Sequence, residues 1–276
     1  SIAGSIAVAH TTTSVIYSII FLPLASLLEK AVLRIVRVRP AEAAVQAVVL
    51  ERHLLHTPDI ALEQARREIV HMAQIARAGF MDAVDGLLGD DKRKLESAHV
   101  AEEFTDTLQY EITTYLTELS RRELSEHVAI ALPVLLHTVN DLERIGDHAV
   151  NVVEIAMRKI EQKVTFTDAA LAEANQLRKE VSEMLDVVIK ALEEDDREVA
   201  RRAVPNEQNL NRMQIEFRRS HVQRLRDGQC TPEASLIFID LVDNVEKTGD
   251  HLMNIAQAAI GGLQWDGIEL KLAPTK

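Results

Sequence analysis

The chain has 276 residues, of which 31 are Lys or Arg and 43 are Asp or Glu, so its net charge is -12 and its pI is near 5.3. A surface this acidic argues against nucleic-acid binding, because phosphates need basic side chains to meet them. Aromatic residues make up only 4% of the chain and Cys230 is its single cysteine. This composition predicts an all-helical protein without a disulfide framework or a multi-cysteine metal site.

The N-terminal segment is apolar, with no Asp, Glu, Lys or Arg from Ser1 to Leu28. It exceeds the roughly 20 residues that a helix needs to span a membrane, and it has neither a basic leader nor an A-x-A cleavage site. Arg34, Arg37 and Arg39 follow, and positive flanks stay in the cytoplasm. We therefore predict a transmembrane helix, a location in the cell inner membrane, and a cytoplasmic position for residues after about 29. Because the chain starts without Met, we interpret it as a fragment whose earlier membrane spans are missing.

The rest of the chain, from about residue 57, contains two copies of one sequence pattern. Residues 140–156 read NDLERIGDHAVNVVEIA, and residues 243–259 read DNVEKTGDHLMNIAQAA. The stretch upstream repeats at nearly the same offset, so that Glu102 corresponds to Glu207. Two independent matches at nearly equal offsets indicate an internal duplication.

Capping residues, prolines and turns divide each copy into three helices. In the first copy, helices are predicted from Thr57 to about Leu88, then to near Leu119, and, after a Ser120–Glu123 capping box, to about Ile160. No segment shows a strand pattern. The fold class is therefore predicted to be all-α, with one transmembrane helix followed by two antiparallel three-helix bundles related by a pseudo-twofold axis.

In the second copy, helices are predicted to start at Thr165 and Thr231, with turns at Asp195 and Gly228. The predicted domains are, in chain order, the membrane helix with its basic flank (1–40), a linker (41–56), the first bundle (57–160), the second bundle (164–265) and a tail (266–276).

Acidic and amide side chains are aligned along one face of the helices, apart from the apolar face. Spacings of three and four residues produce this alignment, and like charges one turn apart cost about 0.2–0.5 kcal/mol per pair. The alignment therefore favours a cation bound by oxygen ligands, although solvated faces with ordinary Arg144–Asp147 and Lys247–Asp250 salt bridges are the alternative. The aligned residues are Glu102 and Asp106 on the second helix, Asn140, Glu143, Asp147, Asn151 and Glu154 on the third, and Asp243, Glu246, Asp250 and Asn254 in the second copy.

The doubled motif E-R-I-G-D-H-x-x-N at 143–151 and E-K-T-G-D-H-x-x-N at 246–254 resembles the signature of the PhoU family of phosphate-uptake regulators. The resemblance covers about 57–262 and implies two three-helix bundles that carry multinuclear metal clusters on their surface. Iron is the metal expected first, with zinc or manganese as alternatives. The metal ligands that the resemblance implies are Glu102, Asp106, Glu143 and Asp147 in the first copy, and Glu207, Glu246, Asp250 and additionally Asp243 in the second.

Two departures from the family pattern concern the second copy. Asn211 stands where the pattern has Asp, and Pro205 precedes Glu207. We therefore expect the second site to bind metal more weakly. The histidines of the motif, His148 and His251, lie off the acidic face, and we predict that they form hydrogen bonds between helices rather than bind metal.

The upstream sequence, IAVAHTTTSVIYSIIFLPL followed by LERHLLHTPDIALEQARREIVHMA, is similar to the C-terminal end of bacterial Na⁺/phosphate cotransporters that carry a PhoU-like tail. The similarity implies a non-enzymatic, metal-binding regulatory domain of a sodium-dependent phosphate transporter, in contact with the transporter's membrane domain. A membrane-tethered adaptor for a phosphate-signalling protein is one alternative, and a homodimer is left open. The E-x-x-H pairs Glu68–His71 and Glu96–His99 leave a di-iron carboxylate oxidase as a minor alternative.

Overall fold

The computed structural model describes residues 50–261 and, of the residues that follow, the backbone of 264–265 and 268–269. The predicted transmembrane helix and basic flank (1–40), most of the linker and most of the tail lie outside the described residues. No helix in the described part of the chain combines the length and the apolar character needed to cross a membrane. The described elements are, in chain order, a 3-10 helix Arg52–His56, α1 Pro58–Gly89, α2 Lys92–Leu119, α3 Glu126–Glu161, α4 Asp168–Glu194, α5 Arg197–Arg201, α6 Ala203–Arg226, α7 Pro232–Ile260, β1 Gln264–Trp265 and β2 Ile268–Glu269.

Local capping chemistry sets the helix ends in the first repeat. Asp90 ends α1 in the left-handed conformation (φ 53°), and the side chain of Asp91 then accepts a hydrogen bond from the Arg93 amide to start α2. The predicted capping box at Ser120 is wrong, because the Ser120 hydroxyl donates back to the Thr117 carbonyl (2.7 Å). The hydroxyl that caps α3 belongs to Ser125, which accepts from the Val128 amide.

The second repeat uses the same devices at corresponding places. Thr167, rather than the predicted Thr165, caps α4 by accepting from the Ala170 amide. Asp195 adopts the left-handed conformation (φ 49°) after α4, as Asp90 does after α1. The counterpart of α2 is divided into α5 and α6, and Pro205 lies in the first turn of α6, where its missing amide hydrogen costs little.

One small difference from the sequence prediction lies after α7. A two-residue antiparallel ladder joins Gln264 to Glu269 and Trp265 to Ile268, where no strand was predicted.

The two repeats pack through matching elements. Helix α1 contacts both α2 and α3, while α4 and α6 both contact α7. Between the repeats, α3 packs against α7 and α1 packs against α4. The α1–α4 contact is lined by ion pairs, including Arg77 with Asp186 (2.7 Å) and Arg178 with Asp85. The described helices therefore form two bundles of three, with the second helix of the second bundle broken in two.

Candidate functional site

The first acidic face comprises Glu102 and Asp106 of α2 together with Glu143 and Asp147 of α3. The two helices approach each other at Gly146. A Cβ atom added at Gly146 would lie 3.6 Å from Cγ of Glu102 and 3.5 Å from Cγ2 of Thr105. The four residues that the sequence assigned to the first site thus lie on two helices that pack against each other, two on each helix.

The carboxylates of the first acidic face lie close enough to repel one another. Burial raises the pKa of the Glu102 carboxyl, and the neighbouring carboxylate of Asp106 raises it further. Burial and the charge of Asp147 likewise raise the pKa of Asp106 and of Glu143. Few cationic groups face these four carboxylates: Arg144 lies 3.2 Å from Asp147 and 3.7 Å from Glu143, and His99 lies 3.7 Å from Glu102. At neutral pH this face therefore carries an excess of negative charge that attracts cations.

The second acidic face comprises Glu207 of α6 and Asp243, Glu246 and Asp250 of α7. Burial, followed by the charge of Asp250, raises the pKa of Glu246. The Glu246 side chain is only 12% exposed and its Oε2 atom accepts no hydrogen bond, although Lys247 Nζ lies 3.3 Å away. Lys247 Nζ thus pairs with both carboxylates, and it lies closer to Asp250, at 2.7 Å.

The second acidic face is better compensated than the first. The Asn211 amide, at the position that Asp106 occupies in the first repeat, donates to Glu207 Oε1 at 2.6 Å. Arg218 of α6 lies 3.2 Å from Asp243. A carboxylate of the first face is thus replaced by a hydrogen-bond donor, and a second cation is added beside Lys247.

The donor chemistry of both faces suits a metal ion, but their side chains do not converge. Within residues 50–261, no group of three His, Cys, Asp or Glu side chains is placed to hold one ion. Carboxylates that repel each other point apart unless a cation draws them together.

The motif histidines lie between helices, whereas one of the two E-x-x-H pairs faces solvent. His148 Nδ1 lies 2.9 Å from Asn244 Oδ1, and His251 Nδ1 lies 2.9 Å from Asp141 Oδ1, so both form the predicted hydrogen bonds between helices. Glu96 is exposed on α2, which removes one of the two inward-facing pairs that a di-iron oxidase needs.

Each acidic face continues into an exposed apolar side chain, a feature not predicted from the sequence. Tyr110 follows Asp106 by one helical turn and is 67% exposed. Ile215 follows Asn211 by one turn, at the corresponding position of the second repeat, and is 58% exposed. The repeat alignment could have found this pair, because both lie on the polar side of their helices.

Comparison with known proteins finds PhoU proteins both by sequence and by structure. The chain is 24% identical over 197 residues to the phosphate-specific transport system accessory protein PhoU homolog 1 of Thermotoga maritima, covering 71% of this chain and 84% of that one. It is 25% identical over 207 residues to the PhoU homolog of Xylella fastidiosa (strain 9a5c), covering 74% and 86%. The fold matches crystal structures of PhoU from Pseudomonas aeruginosa (TM-score 0.69, 22% identity, 73% of this chain and 96% of that one) and Streptococcus pneumoniae (0.66, 16%, 74% and 95%).

These relatives correct two predictions made from the sequence. They are accessory proteins of phosphate-specific transport systems, and this chain matches them over most of their lengths. The prediction of a regulatory domain of a sodium-dependent phosphate transporter, and the prediction of a cell inner-membrane location, are therefore wrong. Both depended on the apolar stretch within 1–40, which lies outside the described residues, whereas the matched region is the duplicated helical part.

The family assignment rests on both repeats independently. The family model described as PhoU domain matches residues 69–156 and again residues 174–259. The two matches together span more than half of the chain, and each contains one copy of the G-D-H motif at its third helix. The chain therefore belongs to the PhoU family.

Proposed function

We propose that this chain is a non-enzymatic accessory protein that regulates phosphate transport by binding a signalling partner. One observation carries the proposal: both repeats present an acidic face continued by an exposed apolar residue, Tyr110 in one and Ile215 in the other. The relatives support the phosphate context, because they are accessory proteins of phosphate-specific transport.

The surface chemistry defines the partner. Exposed aromatic and aliphatic side chains serve as anchors in protein interfaces when they fill a pocket on the partner. The surrounding carboxylates favour a partner with basic side chains around that pocket, since complementary charge steers association. Because the anchor occurs twice, we expect two such contacts per chain. A homodimer stays a prediction, and in solution it would have twice the mass of one chain.

Metal binding at the two acidic faces also stays a proposal. Its support is the raised pKa of Glu102, Asp106 and Glu143, which burial causes first and neighbouring carboxylates increase, together with the buried Glu246 Oε2 atom, which has Lys247 Nζ at 3.3 Å but accepts no hydrogen bond. A cation would relieve both by drawing the carboxylates together. Iron is the metal expected first, with zinc or manganese as alternatives.

The regulatory proposal is tested in the bacterium that carries the chain. The gene is deleted, and a phosphate-starvation reporter and phosphate uptake are measured at high and low phosphate. We expect the deletion to deregulate both, and the wild-type chain to restore them. The double variant Tyr110→Ser/Ile215→Ser should fail to restore them, because both anchors are lost.

The matched control is Ile60→Ser, which removes an equally exposed apolar side chain (53%) at the start of α1. Circular dichroism of each purified variant establishes that it is folded. Full restoration by the double variant would refute docking through Tyr110 and Ile215. An unchanged phosphate response after deletion would refute a role in phosphate regulation.

The metal proposal is tested by elemental analysis of the purified chain, of Glu143→Ala and of Glu246→Ala. We expect near-stoichiometric metal in the wild type and a larger loss in Glu143→Ala, because the first acidic face has less countercharge. A folded wild-type protein that contains no metal would contradict the proposal. An equal loss in both variants would contradict the ranking of the two faces.

A further inference from the structure

A cavity of about 620 Å³ lies where the two repeats meet. Its walls come from α1 and α3 of the first repeat and from the C-terminal ends of α4 and α7 of the second. None of the residues that line it belongs to either acidic face. The cavity is thus a separate feature, and nothing in the proposed regulatory function uses it.

Most of the wall is apolar, although His127 and Thr138 also line the cavity. Ile69 of α1, Val134 of α3 and Ala258 of α7 contribute side chains from three directions. Pro133 also lines the cavity, inside α3. Cavities of about 300–1,000 Å³ with mostly apolar walls and a few polar groups are typical of small-ligand sites. The volume and the mostly apolar lining therefore favour a small molecule over a protein surface.

Two arginines stand at the cavity, and they differ in their partners. Arg66 lies 3.0 Å from Asp195, so its charge is matched within the lining itself. The Arg197 side chain is exposed and forms no ion pair or side-chain hydrogen bond with residues 50–261. Its guanidinium lies over Gly261, where an added Cβ atom would be 3.6 Å from Cζ. A guanidinium without an ion-pair partner at the edge of a mostly apolar cavity can pair with an anionic group.

We propose that the cavity binds a single-chain amphiphile, with its apolar chain between the repeats and its anionic group at Arg197. Either a carboxylate or a phosphate satisfies this chemistry, because the arginine fork pairs with both. A fatty acid supplies the first and a lysophospholipid-like molecule supplies the second. A ligand bound there would contact both repeats at once.

The test is calorimetric titration of the full chain with decanoate, decyl phosphate, decanol and decyltrimethylammonium, all below their micelle concentrations. We expect one decanoate or decyl phosphate per chain, with the ammonium at least tenfold weaker. Arg197→Gln should weaken binding of the anions about tenfold and leave decanol unchanged. The tighter of the two anions identifies the headgroup.

The control variant is Arg201→Gln, on the same short helix as Arg197 but paired with Glu198 and absent from the cavity lining. It should bind both anions as the wild type does. Ala131→Phe, which fills the cavity from α3, should abolish binding. If Ala131→Phe does not fold, Arg197→Gln still decides, because its side chain is exposed. Absent anion binding, equal binding of the ammonium, or unchanged binding by Arg197→Gln would overturn the proposal.

Discussion

At the scale of single residues, the surroundings of His221 favour its neutral form. It is buried on α6, stacked on Phe238 with ring centroids 4.5 Å apart, and it receives a hydrogen bond from Arg224 at Nδ1 (2.9 Å). Burial, reinforced by the charge of Arg224, lowers the pKa of His221 to about 4. Because Arg224 can only donate, Nε2 carries the proton and faces Cys230 Sγ at 3.8 Å. No role was predicted for Cys230 from the sequence.

The shifted pKa of His221 predicts a loss of stability in acid. Well above pH 6.5, His221 is neutral in both the folded and the unfolded chain, so its full contribution to the free energy of unfolding is present. As the pH falls from about 6.5 to about 4, the unfolded chain binds a proton that the folded chain does not, and the free energy of unfolding decreases. The shift corresponds to a decrease on the order of 3 kcal/mol.

Urea unfolding of the wild type and of His221→Gln between pH 7 and pH 4 measures this contribution. The wild type should lose stability faster than the variant over that window. The carboxyls with raised pKa, such as Glu102 and Glu143, contribute with the opposite sign, and they are present in both proteins, so they cancel in the difference. A difference that does not vary with pH would rule out this role for His221.

At the scale of helices, glycines decide how closely two elements approach. A Cβ atom added at Gly79 of α1 would lie 2.8 Å from Cβ of Ala101 in α2, and one at Gly249 of α7 would lie 2.7 Å from Leu210 Cδ1 of α6. At Gly146 the nearest atom would be 3.5 Å away, an ordinary contact. The motif glycine therefore permits a close helix contact in the second repeat, and it is not required for one in the first.

The glycine contacts predict opposite effects of alanine at two sites. Gly79→Ala should lower the free energy of unfolding by about 1–3 kcal/mol, because the Ala101 methyl group cannot rotate away. Gly146→Ala should raise it by up to about 1 kcal/mol, since alanine favours helix and meets no obstacle. Gly89→Ala, with nothing within 4 Å of the added atom, is the control. Denaturant unfolding that finds Gly79→Ala as stable as Gly146→Ala would contradict the predicted clash.

At the scale of the whole described unit, the duplication appears as reciprocal contacts between the repeats. His148 of α3 pairs with Asn244 of α7, and His251 of α7 pairs with Asp141 of α3. These four residues occupy corresponding positions in the two copies, and the two rings lie 5.5 Å apart. The same motif that identifies the family thus also joins the two halves through its histidines.

Much of this architecture could be predicted from the sequence, because it depends on local chemistry and periodicity. The offset of the two copies, the turn at Asp195 and the helix starts at Thr57 and Thr231 predict three helices per repeat, and the structure has them, except that the second helix of the second repeat is divided into α5 and α6. The starts of α3 and α4 were misplaced, because several hydroxyls near a helix end compete to cap it. Only the packed chain selects the one that reaches a free amide.

Part of the candidate site could likewise be predicted from the sequence. Helical spacing alone aligns the carboxylates of α2 and of α3 on their own helices, and the repeat shows that Asn211 replaces an acid in the second copy. The sequence therefore determined the all-α class, the duplication and the identity of the acidic residues.

The tertiary structure decided how those residues meet. Packing of α2 on α3 sets the mutual repulsion of the first acidic face, and the positions of Arg218 and Lys247 set the compensation of the second. It also created the cavity with Arg197, whose walls come from segments far apart in the chain. Distances between such segments depend on the packing of the whole core, which no local sequence pattern encodes.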